Sequence, residues 1–221
     1  MEKITAVLPC RLGSTRLKFD KQSSPFGDTT LIELKVNQLL KSKLINDIVL
    51  STDDENIFKK FANVDRVKVY ERDPKLLHST DSNSLIEVCF QHVPNGYVLL
   101  THCTVPFFDE YDKVIEYYKA NNCDSVSTAR RIGSFVMDGV NIMNWNRTGS
   151  NDLWPKTQEL PKWYEIDSAV EPFMHIDIMK ERYDRVGYKP MYYETNALQS
   201  IDIDTEEDWK LAETLYKKLN G

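Results

Sequence analysis

The basic cluster near the start of the sequence contains residue types suited to binding phosphate. Four cations fall within eleven positions of an otherwise acidic chain: Arg11, Arg16, Lys18 and Lys21. Gly13 lets the backbone approach a ligand closely, and Ser14 adds a hydroxyl group among these guanidinium and ammonium donors. A solvated basic loop would have the same composition. Position favours phosphate binding, because the apolar run at 4–8 is typical of a buried strand, and α/β proteins bind ligands where such strands end.

Two carboxylates near the other end of the chain form a second candidate site. Asp202 and Asp204 flank Ile203 in a segment, 200–203, that we predict to be a strand, so both carboxylates would project to the same side. Such a pair suits Mg²⁺, which takes one or two protein carboxylates together with phosphates and waters. For Asp204 a helix cap is an equally good interpretation, because Glu207 completes a capping box. Cations and carboxylates together are what binding of a nucleoside triphosphate requires.

The elements that must position these residues alternate between strand and helix. We predict strands at 4–8, 45–50, 67–70, 97–101 and 125–128 and helices at 29–41, 84–92 and 109–120, with a further helix through Phe61 capped by Thr52 and Glu55. After an irregular stretch at 132–161, we expect strands at 173–178 and 191–194, a short helix at 180–185 and a final helix at 205–219. This order predicts an α/β fold with a mostly parallel sheet and right-handed crossovers.

Composition limits the function classes. The 221 residues suffice for one substantial core, so we expect a single domain over 1–221 with an excursion from the sheet at about 132–195. A formal charge of −6 argues against a general nucleic-acid or membrane surface, and no apolar stretch has spanning length. The four cysteines lack zinc-like spacing. We interpret them as reduced thiols of a cytoplasmic protein.

Three segments, taken together, resemble one known family. They read PCRLGSTRL at 9–17, VLSTDDENI at 49–57 and SIDIDTEEDWKLAE at 200–213, and a fourth reads QELPKWY at 158–164. In this order they resemble the sugar cytidylyltransferases, above all the acylneuraminate cytidylyltransferases. The resemblance implies a Rossmann-like nucleotidyltransferase fold, usually homodimeric. It also implies transfer of CMP from CTP to an acidic sugar of the nonulosonic type, with release of pyrophosphate and with Mg²⁺ as cofactor.

The resemblance assigns roles residue by residue. It places the triphosphate and cytosine against the first segment and its flanks, at Leu8, Arg11, Gly13, Ser14, Arg16 and Lys21. It assigns Asp202 and Asp204 as the metal ligands. Together with Arg11 and Lys21, these two residues are the catalytic residues that the resemblance implies. Arg72 resembles the family's second arginine, and either Ser82 or Ser84 falls where the family contacts the nucleotide. Gln158 and Tyr164 lie in the sugar-side segment.

Two departures from the family pattern leave questions open. The proline expected after the loop arginine is missing, so either Lys18 or Lys21 could take the phosphate role. After the fourth strand, 102–108 reads HCTVPFF without the usual arginine, and His102 replaces a polar amide. His102 is either a hydrogen-bonding contact for nucleotide or sugar or a structural histidine at a strand end.

Three other functions fit parts of the pattern. A nucleotidyltransferase acting on a sugar phosphate would need the same basic loop and carboxylates. A glycosyltransferase would use Asp202 and Asp204 as a metal-binding Asp-x-Asp, although the basic loop has no equivalent purpose there. A nucleotide-binding homologue without catalysis would account for the missing arginine.

Overall fold

The computed structural model describes residues 2–13, 17–77, 83–145 and 153–220. Its strands are β1 (Ile4–Cys10), β2 (Pro25–Phe26), β3 (Thr29–Thr30), β4 (Asp47–Thr52), β5 (Val67–Glu71), β6 (Tyr97–Leu100), β7 (Ser125–Ile132), β8 (Trp163–Ile166), β9 (Phe173–His175) and β10 (Pro190–Glu194). Its helices are α1 (Leu31–Lys41), α2 (Glu55–Phe61), α3 (Pro74–Leu77), α4 (Ser84–His92), α5 (Tyr111–Ala120), α6 (Ile176–Arg182) and α7 (Glu206–Asn220). None of these helices is long and apolar enough to cross a lipid bilayer.

The main sheet, as far as the described residues extend, contains eight strands. Seven lie in the order β10, β7, β9, β6, β1, β4, β5, and β8 pairs with β7. The pairs of β1 with β4 and β6, of β4 with β5 and of β7 with β10 are parallel, whereas β8 and β9 are antiparallel to their neighbours. The predicted α/β architecture with a mostly parallel sheet is therefore confirmed.

The side chains of β1 alternate between two hydrophobic layers, which explains why every residue of this strand is buried. Ala6 and Leu8 pack in a cluster with residues of α1, α2, α5 and α7. Val7 belongs to a second cluster that contains residues of α4 and α6. Helices thus cover both faces of the sheet, and α/β sheets of this kind bind ligands at the carboxyl ends of their parallel strands.

Several predicted boundaries are wrong, for local reasons. Asp54, not Thr52, caps α2, because its side chain accepts a hydrogen bond from the Asn56 amide. The strand predicted at 173–178 stops at His175, whose side chain caps α6, so the helix predicted at 180–185 begins earlier. The helix ends at Arg182, because the next residue, Tyr183, has a left-handed conformation with φ 50°.

The excursion after β7 is shorter than the interval predicted for it. Irregular backbone covers most of 133–162 within the described residues, with an isolated bridge between Met137 and Ile142. From Trp163 the chain rejoins the sheet as β8, and β9 and β10 follow, so the second half of the interval 132–195 supplies three strands of the main sheet. The irregular part carries an aromatic cluster, described below.

Candidate active site

The segments predicted to do chemistry meet at one edge of the sheet. Arg11 follows β1, Asp53 follows β4, Arg72 follows β5 and His102 lies two residues after β6. Because these four strands are parallel, their carboxyl ends lie on the same side. The topology therefore gathers cations and carboxylates from distant parts of the sequence at the place where open α/β sheets bind ligands.

The loop after β1 is held by the acidic pair that follows β4. The amide of Leu12 donates to Oδ1 of Asp53 at 2.7 Å, and the hydroxyl of Ser23 donates to Oδ2 of Asp54 at 3.0 Å. Gly13 has φ +77°, a conformation that an L side chain adopts only with strain. These contacts fix both ends of the basic loop. Sequence reasoning assigned Asp53 and Asp54 no such role, although both lie in the segment 49–57 that carried the resemblance.

Lys21, not Lys18, reaches the carboxylate pair. The Lys21 side chain is 15% exposed, and its Nζ donates to the carbonyl of Ile203 at 2.9 Å and to Oδ1 of Asp204 at 3.4 Å. Lys18 is exposed. The basic loop and the carboxylate segment, 182 residues apart in sequence, therefore form one site through Lys21.

The segment that carries Asp202 and Asp204 is not the strand predicted at 200–203. No ladder forms there, and the Ile203 amide donates to the Thr104 carbonyl at 2.9 Å. The Ile203 side chain is buried in the core, whereas Asp202 and Asp204 are partly exposed on either side of it. The two hydrogen bonds of the Ile203 backbone, to Thr104 and to Lys21, keep the segment extended without a neighbouring strand.

Asp204 is not the cap of the last helix. The Asp208 amide donates to the Thr205 hydroxyl oxygen at 3.2 Å, and the Thr205 amide donates to Oδ2 of Asp208 at 2.8 Å, so Thr205 and Asp208 form the capping box. The Thr205 hydroxyl also donates to Oδ2 of Asp208 at 2.7 Å, and this bond, with that from the Thr205 amide, lowers the pKa of the Asp208 carboxyl. The structural role proposed for Asp204 with Glu207 is therefore wrong, and ligand binding stays as its interpretation.

Arg72 lies buried beneath the same edge. It is 4% exposed, and its Nε has no hydrogen-bond partner among the described residues. Burial lowers the pKa of Arg72, and the positive charge of Arg11 lowers it further, whereas Asp53 and the Cys10 thiol raise it. Two guanidinium groups held close to one another in this way favour an anion between or beside them.

His102 is a neutral imidazole at neutral pH. Burial lowers its pKa to about 4, and four nearby cations lower it in the same direction: Arg185, Lys21, Lys35 and Arg72. Its ring makes no hydrogen bond to another residue in the described part of the chain. A neutral imidazole offers one donor and one acceptor, so His102 has the hydrogen-bonding capacity that the interpretation as a ligand contact requires.

The residues assigned to the sugar side are spread over the excursion and β8. Gln158 is exposed in a 3-10 turn over Thr157–Glu159. Tyr164 is half-buried in β8, stacks on Tyr192 with 5.0 Å between ring centroids, and donates its hydroxyl to Oε1 of Glu194 at 2.8 Å. In the ladder Tyr164 lies opposite Arg131, at the carboxyl end of β7. Tyr164 thus belongs to the edge that carries the basic loop, whereas no described contact ties Gln158 to it.

The remaining predicted residues fall into two groups. Leu8 is completely buried between the two neighbouring strands, so it has no exposed surface for a nucleotide to contact. Ser14, Arg16 and Ser82 lie outside the described residues. Within the described part of the chain, no three or more His, Cys, Asp or Glu side chains cluster as metal ligands, which leaves the pair at 202 and 204 as the acidic candidate.

The comparison with protein families identifies the family of the chain. The sequence pattern of the family described as cytidylyltransferase matches residues 5–220, from β1 to the end of α7. The chain belongs to this cytidylyltransferase family. The predicted resemblance is confirmed, and the chain is a CTP-dependent nucleotidyltransferase.

This cytidylyltransferase is similar to two relatives over almost its whole length. It is 25% identical to the 3-deoxy-manno-octulosonate cytidylyltransferase of Rickettsia prowazekii, with 99% of this chain and 97% of that protein covered. It is also 25% identical to the post-translational flagellin modification protein B of Campylobacter coli, with 100% and 97% covered.

Solved structures of the same fold cover almost the whole cytidylyltransferase chain. The 4-diphosphocytidyl-2C-methyl-D-erythritol synthase of Anaerococcus prevotii superimposes with a TM-score of 0.71 at 19% identity, covering 98% of this chain and 96% of that one. A CMP:2-keto-3-deoxy-manno-octonic acid synthetase complexed with CTP superimposes with a TM-score of 0.67 at 12% identity, covering 99% and 100%. These likenesses establish the Rossmann-like nucleotidyltransferase fold.

Lys35 is the residue near the candidate site of this cytidylyltransferase that the sequence analysis did not identify. It is completely buried in α1, among the helix residues that face the core. The signal was available, because Lys35 lies four residues after Leu31 and four before Leu39, on the apolar stripe of the helix. A lysine at such a position requires acceptors inside the protein.

Proposed function

We propose that this cytidylyltransferase activates an acidic sugar by transferring CMP from CTP and releasing pyrophosphate. The observation that carries the proposal is the contact of Lys21 with the segment 203–204, which unites the basic loop and the carboxylate pair in one site. Cations for a triphosphate and carboxylates for its metal ion then lie side by side. Nucleotidyl transfer from a metal-bound triphosphate requires this arrangement.

The reaction needs no nucleophile from the protein. A hydroxyl oxygen of the sugar bonds to the α-phosphorus of CTP as the bond from that phosphorus to the bridging oxygen breaks. The hydroxyl proton passes to water, and the electron pair leaves with pyrophosphate. Arg11, Lys21 and Arg72 would bind the phosphate oxygens and stabilise the negative charge that develops on the leaving group. His102 would position nucleotide or sugar through a hydrogen bond, since a neutral imidazole adds no charge.

Asp202 and Asp204 would hold Mg²⁺. The donor set fits this ion, because hard carboxylate oxygens supply one or two ligands and substrate phosphates and waters supply the others. The Asp204 side chain is 39% exposed and so accessible to a nucleotide-bound ion. When bound, Mg²⁺ neutralises charge on the phosphate oxygens. Lys21 beside Asp204 would hold the Asp204 carboxylate and the triphosphate in fixed positions relative to each other.

The acidic character of the acceptor is supported by the relatives and by cations near the proposed sugar side. The Rickettsia relative is described as acting on 3-deoxy-manno-octulosonate, a sugar acid. Arg131 is exposed at the carboxyl end of β7, opposite Tyr164 in the ladder, where it could pair with a carboxylate. Its neighbour Arg130 is already paired with Glu165 at 2.6 Å. We propose that Gln158 and Tyr164 contact the sugar itself.

A pyrophosphate-release assay tests the function. CTP, UTP, ATP and GTP are each offered with a panel of sugar acids, neutral sugars and sugar phosphates in the presence of Mg²⁺. We expect release with CTP and a sugar acid, abolished in Asp202→Ala and Arg11→Ala. Release with a sugar phosphate instead would overturn the acceptor class. CTP binding without release for any acceptor would favour a nucleotide-binding homologue, and unchanged activity in both variants would refute the site.

We also propose a homodimer. On the excursion, Phe135, Trp145 and Trp154 form an aromatic cluster with ring centroids 4.7–6.2 Å apart. Trp154 is 59% exposed, and Leu153 beside it is 88% exposed. An apolar group of this kind favours burial against a second copy.

We propose a cytoplasmic location for the enzyme. All four cysteines are free thiols, three of them buried, as reduced proteins have them. A nucleotide triphosphate substrate is consistent with the same compartment. Fluorescence microscopy of a tagged chain, with fractionation as a control, tests the location.

A further inference from the structure

The side-chain nitrogen of Lys35 is bound on three sides by the segment that follows β6. Nζ of Lys35 donates to the carbonyl of Val105 at 2.8 Å and to that of Phe108 at 3.1 Å, and it lies 2.8 Å from the hydroxyl of Tyr111. One turn further along α1, Nε2 of Gln38 donates to the carbonyl of Pro106 at 2.6 Å. Two polar side chains of one helix thus satisfy three buried carbonyl groups of a loop that has no ladder of its own.

This loop, residues 101–110, is the support of the carboxylate segment. The carbonyl of Thr104 accepts the hydrogen bond from the Ile203 amide at 2.9 Å. Ile203 lies between Asp202 and Asp204, and on its other side its carbonyl accepts from Lys21. A shift of the loop at Thr104 would therefore move both carboxylates relative to the basic loop.

The environment accommodates Lys35 with and without its charge. Burial lowers the pKa of Lys35 to about 7, and the nearby Cys103 and Asp109 raise it. As an ammonium, Lys35 donates to both carbonyls and to the Tyr111 oxygen, and Tyr111 can then donate to Oγ1 of Thr101 at 3.4 Å. As a neutral amine, it donates to both carbonyls and accepts from Tyr111. The loop keeps its two hydrogen bonds in either state.

The hydrogen bonds of Lys35 offset the cost of burying it and also fix the position of the loop. A fully buried lysine carries a large desolvation cost, and an apolar residue at the same place would leave the carbonyls of Val105 and Phe108 without this donor. What the amine provides, and an apolar side chain cannot, is the placement of the carbonyls at 105 and 108. That placement matters for the carboxylates because Thr104 immediately precedes these positions.

We propose that Lys35 is a positioning residue of the nucleotidyl-transfer site, which acts through the loop after β6 to set Asp202 and Asp204 for metal-bound CTP. The inference rests on the proposed function. It concerns a residue that touches neither CTP nor metal. By analogy with groups that orient metal ligands from behind, its loss should weaken metal affinity about 10- to 100-fold.

The test compares Lys35→Met with Lys41→Met, in which an exposed lysine of the same helix is changed. Binding of Mn²⁺ to the enzyme–CTP complex is followed by electron paramagnetic resonance, binding of CTP without metal by calorimetry, and kcat and KM by pyrophosphate release. For Lys35→Met we expect Mn²⁺ affinity to fall about 10-fold or more and kcat to fall with it, while metal-free CTP affinity changes less than about threefold. Lys41→Met should match the wild type in all four measured quantities, namely Mn²⁺ affinity, metal-free CTP affinity, kcat and KM.

A second variant keeps the test decisive if Lys35→Met does not fold, as judged by circular dichroism. Gln38→Leu removes the bond to Pro106 from the same loop and should weaken Mn²⁺ binding in the same direction by a smaller factor. A folded Lys35→Met with wild-type Mn²⁺ affinity, or equal losses with and without metal, would overturn the proposal. If Lys35→Met is unfolded, a Gln38→Leu variant with wild-type Mn²⁺ affinity would also overturn the proposal. A wild-type enzyme that fails to bind Mn²⁺ with CTP would instead overturn the proposed function.

Discussion

Replacing Lys21 by methionine should damage catalysis far more than replacing Lys18. Methionine keeps most of the length of the side chain and removes the ammonium that donates to Ile203 and Asp204. Lys21 is 15% exposed, so its contacts are only partly screened by water. Lys18 is exposed, and Lys18→Met therefore serves as a matched control with the same chemical change.

The magnitude of the Lys21 effect has two parts. Loss of a hydrogen bond from a charged donor to Ile203 costs about 1.5–3 kcal/mol of stability. For a chain of this size that lowers Tm by about 3–12 °C. Loss of a preorganised cation at the triphosphate removes about 2.7–4 kcal/mol of transition-state stabilisation, a factor of about 10²–10³ in kcat. Lys18→Met should change stability by less than about 0.5 kcal/mol.

The assay is pyrophosphate release at saturating and limiting CTP, combined with thermal unfolding of each variant. We expect Lys21→Met to lose about 10²–10³ in kcat at a temperature well below its Tm, and Lys18→Met to stay within about threefold of the wild type. The reasoning is refuted if Lys18→Met is the variant that loses activity. It is also refuted if Lys21→Met loses stability only, because Lys21 would then tie down Ile203 without serving the reaction.

Three further variants test neighbouring parts of the site. Arg72→Met should weaken CTP binding by about 10-fold or more in calorimetry, because a phosphate ligand is lost. It should not lower Tm, because removal of the buried guanidinium relieves its repulsion with Arg11. Tighter CTP binding or a marked fall in Tm would contradict this. His102 has a pKa of about 4 in the folded state and about 6.5 in the unfolded state, so below pH 6.5 the unfolded state binds more protons, and ~3 kcal/mol of the unfolding free energy is lost as the pH falls to 4. In His102→Gln, the unfolding free energy measured in urea should therefore depend less on pH between 6.5 and 4. The same pH dependence as in the wild type would contradict this. Trp154→Glu should convert the dimer to a monomer in sedimentation, whereas a wild type that is already monomeric would exclude the homodimer.

Much of the fold could be predicted because the strands of the central sheet are short apolar runs with clear breaks. β1 is buried on both sides, and its apolar pattern reflects that directly. Errors arose where single polar contacts decide the backbone. The segment around Ile203 has the composition of a strand, but it is held by individual hydrogen bonds to Thr104 and Lys21 rather than by a ladder. Such contacts join residues that are far apart in sequence and cannot be read from local pattern.

The site was predictable to the extent that its residues carry charge. The sequence pointed to the cations of the basic loop and to Asp202 and Asp204, but it left Lys18 and Lys21 as alternatives, since both are lysines in the same loop. Only the tertiary contact with Asp204 distinguishes them. Lys35 was overlooked because charged residues are normally expected on the solvated face of a helix. Its place on the apolar stripe of α1 was the clue.

A crystal structure with CTP and Mn²⁺ would test the central claim most directly, because Mn²⁺ can be located by its anomalous scattering. We predict an anomalous peak within coordination distance of the carboxylates of Asp202 and Asp204, with the triphosphate bridging from that ion to Arg11 and Lys21. An ion bound elsewhere, or a triphosphate that avoids the loop after β1, would contradict the account.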